Sequence, residues 1–527
     1  MRRLAACLGF MAATALVAAP VNAATRGGSL TFARQADCLY LDPVHISINA
    51  DIWMALNIYD MLILPTLDGK GLRPGLATSY DVASDGLSVT LKMRPDIKFG
   101  DGSPITLEDV KWSLERASNQ DSGGTFAFLL SSIDHVDTAA PDTVVVRLKH
   151  PDPAILQALA TFNAAIVSKT LLMAAPGATL DDKSKAFAEH PIGSGPYLVK
   201  SWTHNSEMVL ERNPYYWQKA SDGKPLPYLD ELRFPIIPDD ATRVLKLKAG
   251  EIDATEFVPL SRVEELKADP NLSMTLFPSE KVIYLNLDNR PTLPDGRKNP
   301  MADVKVRQAL NYATDKEALI QVITYGVGTL QKSVMPMSTP LAYSDGVPYP
   351  YDTDKAKALL SDAGYPNGFE ITASVLAGAA DDISELTAVQ QMWSQVGVTM
   401  KIQQLENATK TAEEHAGHFE METQLWTNDI NDPNEITSYF MVPETSDSNY
   451  SGFVDKDIVG WYNTSQSETD TAKRADLYKK IQQRYVADAP IIFLLEIPYP
   501  IGTRKNVNGF VQIPLGDNIF VETSKEH

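Results

Sequence analysis

Cysteine is scarce: the 527-residue chain has two, Cys7 and Cys38. Cys7 falls in an apolar leader, so a processed chain keeps Cys38 alone, which excludes an intramolecular disulfide and reads as a buried structural thiol rather than a nucleophile. Catalytic signatures are missing as well. There is no glycine-rich phosphate loop with its following lysine and serine, no nucleophile elbow and no zinc-protease helix motif. His415 and His418 have a spacing that a helical metal site uses. No second ligand pair lies nearby, however, and zinc takes three or four protein ligands, so they read as solvated side chains and no metal or cofactor is expected. The carboxylate pairs Asp239-Asp240 and Asp381-Asp382 read as helix starts or surface charge, not as acid–base machinery. No extended heptad seam is present, so a monomer is expected. Cations are under-represented: 47 Lys and Arg face 67 Asp and Glu, a formal charge of −20. Loss of Arg2 and Arg3 with the leader takes it to about −22, which opposes nonspecific association with nucleic acid or an anionic membrane surface.

The leader itself is informative. Arg2 and Arg3 precede an apolar, alanine-rich run from Leu4 to Pro20, and Val21-Asn22-Ala23 supplies the small residues of a signal-peptidase site. Cleavage after Ala23 is expected, and with it export to the periplasm. The run is shorter than the roughly 20 residues of a membrane span. Leu4-Ala5-Ala6-Cys7 has the form of a lipidation site but comes too early in the leader.

A processed chain of this length is expected to divide into two or three domains. Its patterning is mixed α/β. Leu87, Val89, Leu91 and Met93 alternate as in a half-buried strand, Thr143–Leu148 is β-branched, and Ile283, Leu285 and Leu287 alternate again. Thr106, with Asp109 three residues on, forms a helix start bearing Val110, Trp112 and Leu114. Further helices are expected over 306–313, over 354–363 with Gly364 as the terminator, and along the stripe Ile383, Leu386, Val389, Met392, Trp393 and Val396 up to Gly397. The run Asn289–Pro300 reads as an ordered surface loop.

Five phrases, in order, carry a resemblance. The first runs from Leu72-Arg73-Pro74-Gly75-Leu76-Ala77 through Asp85-Gly86-Leu87 to Phe99-Gly100-Asp101-Gly102-Ser103-Pro104 and Asp109-Val110. Pro191-Ile192-Gly193-Ser194-Gly195-Pro196-Tyr197 follows, then Arg212-Asn213-Pro214-Tyr215-Tyr216-Trp217, Leu247-Lys248-Ala249-Gly250-Glu251-Ile252-Asp253, and Val304 to Ala313. Together they resemble the peptide/nickel/opine family of bacterial solute-binding proteins, the large three-lobed receptors of ABC importers. Taken alone, many of these residues shape turns; Gly193-Ser194-Gly195-Pro196 reads as a tight turn before a strand.

The resemblance implies a periplasmic-binding-protein-like α/β fold: two hinged lobes plus an additional lobe, with ligand in the interlobe cleft. It places the first lobe in 24–69, 190–289 and 498–527, the second, inserted lobe in 70–189, and the third in 290–497. It implies a receptor without catalysis that captures a short peptide, an amine-bearing amino-acid conjugate or an opine-type sugar–amino-acid conjugate and hands it to an ABC import permease in the inner membrane. An exported hydrolase and a periplasmic peptide-binding chaperone are the alternatives.

The same resemblance marks Trp426-Thr427-Asn428-Asp429 as a cleft segment. It puts Asp429 where relatives meet a ligand amino group, with Trp426 as an apolar wall or cation–π partner. On residue chemistry alone, Asp429 equally suits a turn and Trp426 the core. Ala50, Asp51 and Trp53 lie where relatives line the cavity from the first lobe, although Asp51 also suits the start of a helix. No arginine for a ligand carboxylate can be assigned: the helical context of Arg307 favours structural pairing.

Overall fold

The computed structural model describes residues 25–121, 124–446 and 448–526. The leader, Cys7 and the cleavage position therefore lie outside the described residues. Three sheets organise the chain. A seven-stranded sheet runs in the order Leu272–Phe277, Tyr499–Arg504, Ala254–Thr255, Ser29–Ala33, Glu231–Pro235, Glu207–Arg212, Tyr197–Thr203. It thus draws on the start, middle and end of the chain. A four-stranded antiparallel sheet, Ala77–Val82, Ser88–Met93, Thr143–Leu148 and Ile133–Ala140, lies between its first and second parts in sequence. A six-stranded sheet contains Thr329–Leu330, Ile491–Glu496, Lys281–Leu287, Met421–Thr427, Glu370–Leu376 and Thr399–Leu405, in that order.

Each sheet has its own helical cover, for reasons visible in the side chains. On the four-stranded sheet, helix Leu107–Ser118 buries Val110 and Leu114 against Val89, Leu91, Val144 and Val146. Its start is fixed by a reciprocal capping box between Thr106 and Asp109, as the spacing predicts. On the six-stranded sheet, helix Val304–Tyr312 and helix Ala380–Ser394 bury Val306, Leu310, Leu386, Val389 and Trp393 against Leu285, Leu287, Ile371 and Val375. Helix Thr353–Asp362 is followed by Gly364 at φ +90°, and Gly397 at φ +89° follows the longer helix. Both are terminators that only glycine adopts without strain.

Gly193 and Gly195 serve a different purpose from the turn that their sequence suggests. Neither has a positive φ. A Cβ on Gly193 would sit 2.0 Å from the Ile58 carbonyl oxygen, and one on Gly195 2.6 Å from the Ile58 carbonyl carbon. They are glycine because two backbones touch there, and Gly195 N–H donates to Ile58 O at 2.9 Å.

The chain crosses between the seven- and six-stranded sheets twice, side by side. One crossing connects Phe277 to Lys281 and the other Glu496 to Tyr499. Phe277 pairs with Tyr499 across them, Ser279 Oγ donates to Ile497 O, and Ile497 N–H donates to Lys281 O at 3.3 Å. Two short, mutually bonded strands of chain between large sheets have the form of a hinge.

Cys38 is buried, its Sγ 3.2 Å from Ala50 O. Burial pushes the thiol up to about 12, so it remains protonated and unreactive. Arg307 is structural: its guanidinium donates to the carbonyls of Met301 at 2.8 Å and Asp488 at 2.7 Å. Asp239 caps helix Asp240–Ala249 by accepting from Thr242 N–H at 2.7 Å.

Candidate functional site

Three strands of the six-stranded sheet, Glu370–Leu376, Thr399–Leu405 and Met421–Thr427, are mutually parallel. Each delivers a helix or loop at its carboxyl end, which is where open α/β sheets bind ligands. After Leu376 comes helix Ala380–Ser394, with Asp382 and Glu385 in its first turns. After Leu405 comes helix Asn407–His415, with Lys410, Glu414 and His415. After Thr427 comes Asp429. All of these side chains line one cavity of about 470 Å³, completed by Leu39, Ser47, Ile48, Asn49 and Ile52 from the first part of the chain and by Thr125 and Phe126 beside the four-stranded sheet. The cavity therefore lies among all three sheet-bearing regions.

Its aromatic wall is continuous. Trp426 packs on Tyr439 with ring centroids 4.5 Å apart, Tyr439 meets Tyr450 edge-on at 6.2 Å, and Tyr450 stacks on His415 at 4.6 Å. The Trp426 indole is aimed by its neighbour, since Nε1–H donates to Asn428 Oδ1 at 2.7 Å. Asn428 in turn donates to Thr339 Oγ1 at 3.0 Å.

The electrostatics are acidic and under-compensated. Asp429 is 8% exposed, and its carboxyl is hydrogen-bonded to the carboxyl of Glu435 on helix Asn434–Met441. Glu435 also accepts from Asp429 N–H at 2.8 Å and Ile430 N–H at 3.1 Å. Burial, and then the like charge of Glu435, hold the Asp429 carboxyl well above the ordinary range. Glu385 is 5% exposed and makes no hydrogen bond or ion pair among the described residues; burial raises it as well, with Asp382 and Asp381 adding to the shift. Burial takes Asp382 to about 6 and Glu414 to about 7. Lys410 is the lining lysine, and its Nζ is committed to Glu422 at 2.9 Å and Glu414 at 3.8 Å. No arginine lines the cavity among the described residues. Nor does any group of three or more His, Cys, Asp or Glu among them converge tightly enough to hold a metal ion.

These shifts have a sign. A carboxyl raised by folding favours the native state at low pH, and that contribution is lost as pH rises through its folded value. With Asp382 near 6, Glu414 near 7 and Asp429 and Glu385 also raised, the ligand-free protein should lose thermal stability between about pH 5 and 7.5. His45 and His415, whose values are lowered by partial desolvation, work in the opposite direction but are fewer. Calorimetric scans across this range check it; a Tm that rises throughout contradicts it.

A family model described as bacterial extracellular solute-binding proteins, family 5, middle region, matches residues 71–448. The chain belongs to this family. Its relatives include the glutathione-binding protein GsiB of Pectobacterium atrosepticum, 32% identical over 522 residues that cover 96% of this chain and 95% of that protein. The dipeptide-binding protein of Escherichia coli K12 is 29% identical, with 89% of each chain covered. Among solved structures, the periplasmic binding protein DppA of Helicobacter pylori in complex with the peptide STSA superposes with a TM-score of 0.84 at 25% identity, covering 95% of this chain and 99% of that one. AgaA of A. tumefaciens R10 in complex with agropinic acid gives 0.82 at 26% identity, with 95% and 99% covered. The fold is that of the periplasmic binding proteins. Among the described residues, no helix is long and apolar enough to cross a membrane.

Within this family 5 chain, Trp426, Thr427 and Asp429 come together on the cavity wall. Asn428 stands behind the wall as the indole's acceptor. Ala50, Asp51 and Trp53 are not among the lining residues. Asp51 is buried, accepting from Leu39 N–H at 2.7 Å, and Ala50 presents its carbonyl to Cys38. Trp53 stacks on Phe257 at 5.5 Å and meets Tyr499 edge-on, near the crossings. The same helix, Asn49–Ile58, reaches the cavity through Asn49 and Ile52 instead. His415 faces the cavity, while His418 is exposed beside Glu413. Asp381-Asp382 is more than a helix start, because Asp382 lines the cavity. Glu385 and Glu414 were hidden in helical patterns; the one signal was Glu385 standing beside Leu386 on the inward stripe.

Proposed function

We propose that this protein is a periplasmic receptor that captures a short peptide or another amine-bearing amino-acid conjugate and delivers it to an ABC import permease in the inner membrane. The observation that carries this reading is Asp429: a buried carboxyl on the cavity wall that shares its surroundings with a second carboxyl, Glu435, and that no cation neutralises among the described residues. A ligand ammonium supplies the missing charge, and closure removes water from the pair. Trp426 and Tyr439 offer the ammonium or its adjoining carbons an aromatic face. In this reading the lobes are 24–69 with 190–289 and 498–527, then 70–189, then 290–497, and the paired crossings near Ser279 and Ile497 are the hinge on which the third closes. The receptor works as a monomer, is exported with loss of residues 1–23, performs no catalysis and needs no cofactor.

The likeness to AgaA supports an opine-type conjugate as a second ligand class. Such a ligand also presents an amine-derived nitrogen to Asp429. Equilibrating the mature protein with a solute mixture and identifying what it retains tests both classes at once.

A further inference from the structure

Asp429 is not the only uncompensated carboxyl in the cavity. Glu385 is also more than nine-tenths buried, lines the same space and has no hydrogen bond or ion pair among the described residues. It stands on helix Ala380–Ser394, beyond the carboxyl end of a neighbouring strand, with half-buried Asp382 one turn earlier on the cavity side. The two acidic groups have different neighbours: Asp382 and Asp381 lie beside Glu385, whereas Glu435 and Asp517 lie beside Asp429. Lys410, held by Glu422 and Glu414, and buried Lys281 act on Asp382, whereas neither acts on Asp429 or Glu385. A single ligand ammonium at Asp429 therefore leaves Glu385 buried and alone, at a desolvation cost that a second cation would offset.

We infer that the cavity selects a solute with two cationic groups, one for Asp429 and one for Glu385 with Asp382, and with no need of a terminal carboxylate. The inference rests on the amine-anchor reading above and adds to it the chemistry of the ligand's other end. Two further observations favour an organic dication. The carboxylates do not converge as metal ligands among the described residues. Among the described residues no arginine lines the cavity to receive a ligand carboxylate, and an acidic end on the solute would meet Glu385 or Asp382 with repulsion. The aromatic run Trp426, Tyr439 and Tyr450, on the wall of the same cavity, offers an apolar and cation-binding face to such a ligand.

Titration calorimetry of the mature protein at pH 7.5 with three probes tests this: Ala-Lys amide, a dication; Ala-Leu amide, a monocation of similar bulk; and Ala-Leu, which has a free carboxylate. Ala-Lys amide should bind at least about tenfold more tightly than Ala-Leu amide, and Ala-Leu most weakly. Glu385→Gln should bring the two amides to within about threefold by weakening Ala-Lys amide alone. Its thermal stability should not fall, because it removes an unpartnered carboxyl. Asp382→Asn provides a second, milder test in the same direction. Equal affinity for the two amides in the wild type, or a preference that survives both substitutions, overturns the second cation site and leaves the Asp429 anchor standing. Failure of all three probes to bind overturns the amine-anchor reading, and this inference with it.

Discussion

Asp429→Asn weakens binding of an amine-bearing solute by about 2–5 kcal/mol, part of it the cost of leaving a buried ligand cation unpaired. The substitution keeps the volume and one hydrogen-bonding oxygen and removes only the charge. In the free protein it should be harmless or stabilising near pH 8, because the carboxyl is held above its ordinary range by burial and by Glu435. That divergence, weaker binding with undiminished stability, distinguishes an anchor from a structural side chain. Calorimetry against a peptide and opine panel reads the first, and thermal unfolding with circular dichroism reads the second. Wild-type affinity in the variant removes Asp429 from the site.

The second large effect concerns the loop that presents Asp429. Asp432 is joined to Arg474 on helix Thr471–Asp488 by two hydrogen bonds, at 2.8 and 2.7 Å, and both residues are buried. Asp432→Ala leaves the guanidinium buried without its partner and should cost about 3–5 kcal/mol of stability. Asp432 Oδ1 also accepts from Asn434 N–H at 2.9 Å, at the start of the helix that carries Glu435 and Tyr439. The variant should therefore lose affinity along with stability, unlike Asp429→Asn. Urea unfolding and calorimetry on the same preparation separate the two behaviours; an unchanged midpoint contradicts the assignment of Asp432 as the strut of this loop.

The fold was legible where local chemistry and tertiary environment agree. Thr106 and Asp109 announce a capped helix whatever surrounds them, and the alternation at Val89 and Leu91 or at Leu285 and Leu287 survives in strands with a buried face. Gly193 and Gly195 were visible, but their reason was not: the Ile58 backbone that presses on them is remote in sequence. One wall of the cavity was legible at Trp426 and Asp429, which the family resemblance singles out and which line it. The first-lobe side was less so. On helix Asn49–Ile58, a shift of one position decides whether a side chain reaches the cavity: Asn49 and Ile52 line it, whereas Asp51 and Trp53 do not. Glu385 and Glu414 were concealed for a related reason: an acidic residue in a helix reads as solvated until the third dimension shows that it faces a cavity.

The central claim is that the interlobe cavity holds a cationic solute and returns it unchanged. Native mass spectrometry of the mature protein, equilibrated with a mixture of peptides, amines and opine-type conjugates, tests it most directly. The expected spectrum shows one solute, carrying at least one ammonium, retained at one per protein and recovered with its mass intact. Chemically altered solute released at catalytic rates, or retention of an acidic solute lacking any amine, would contradict the account.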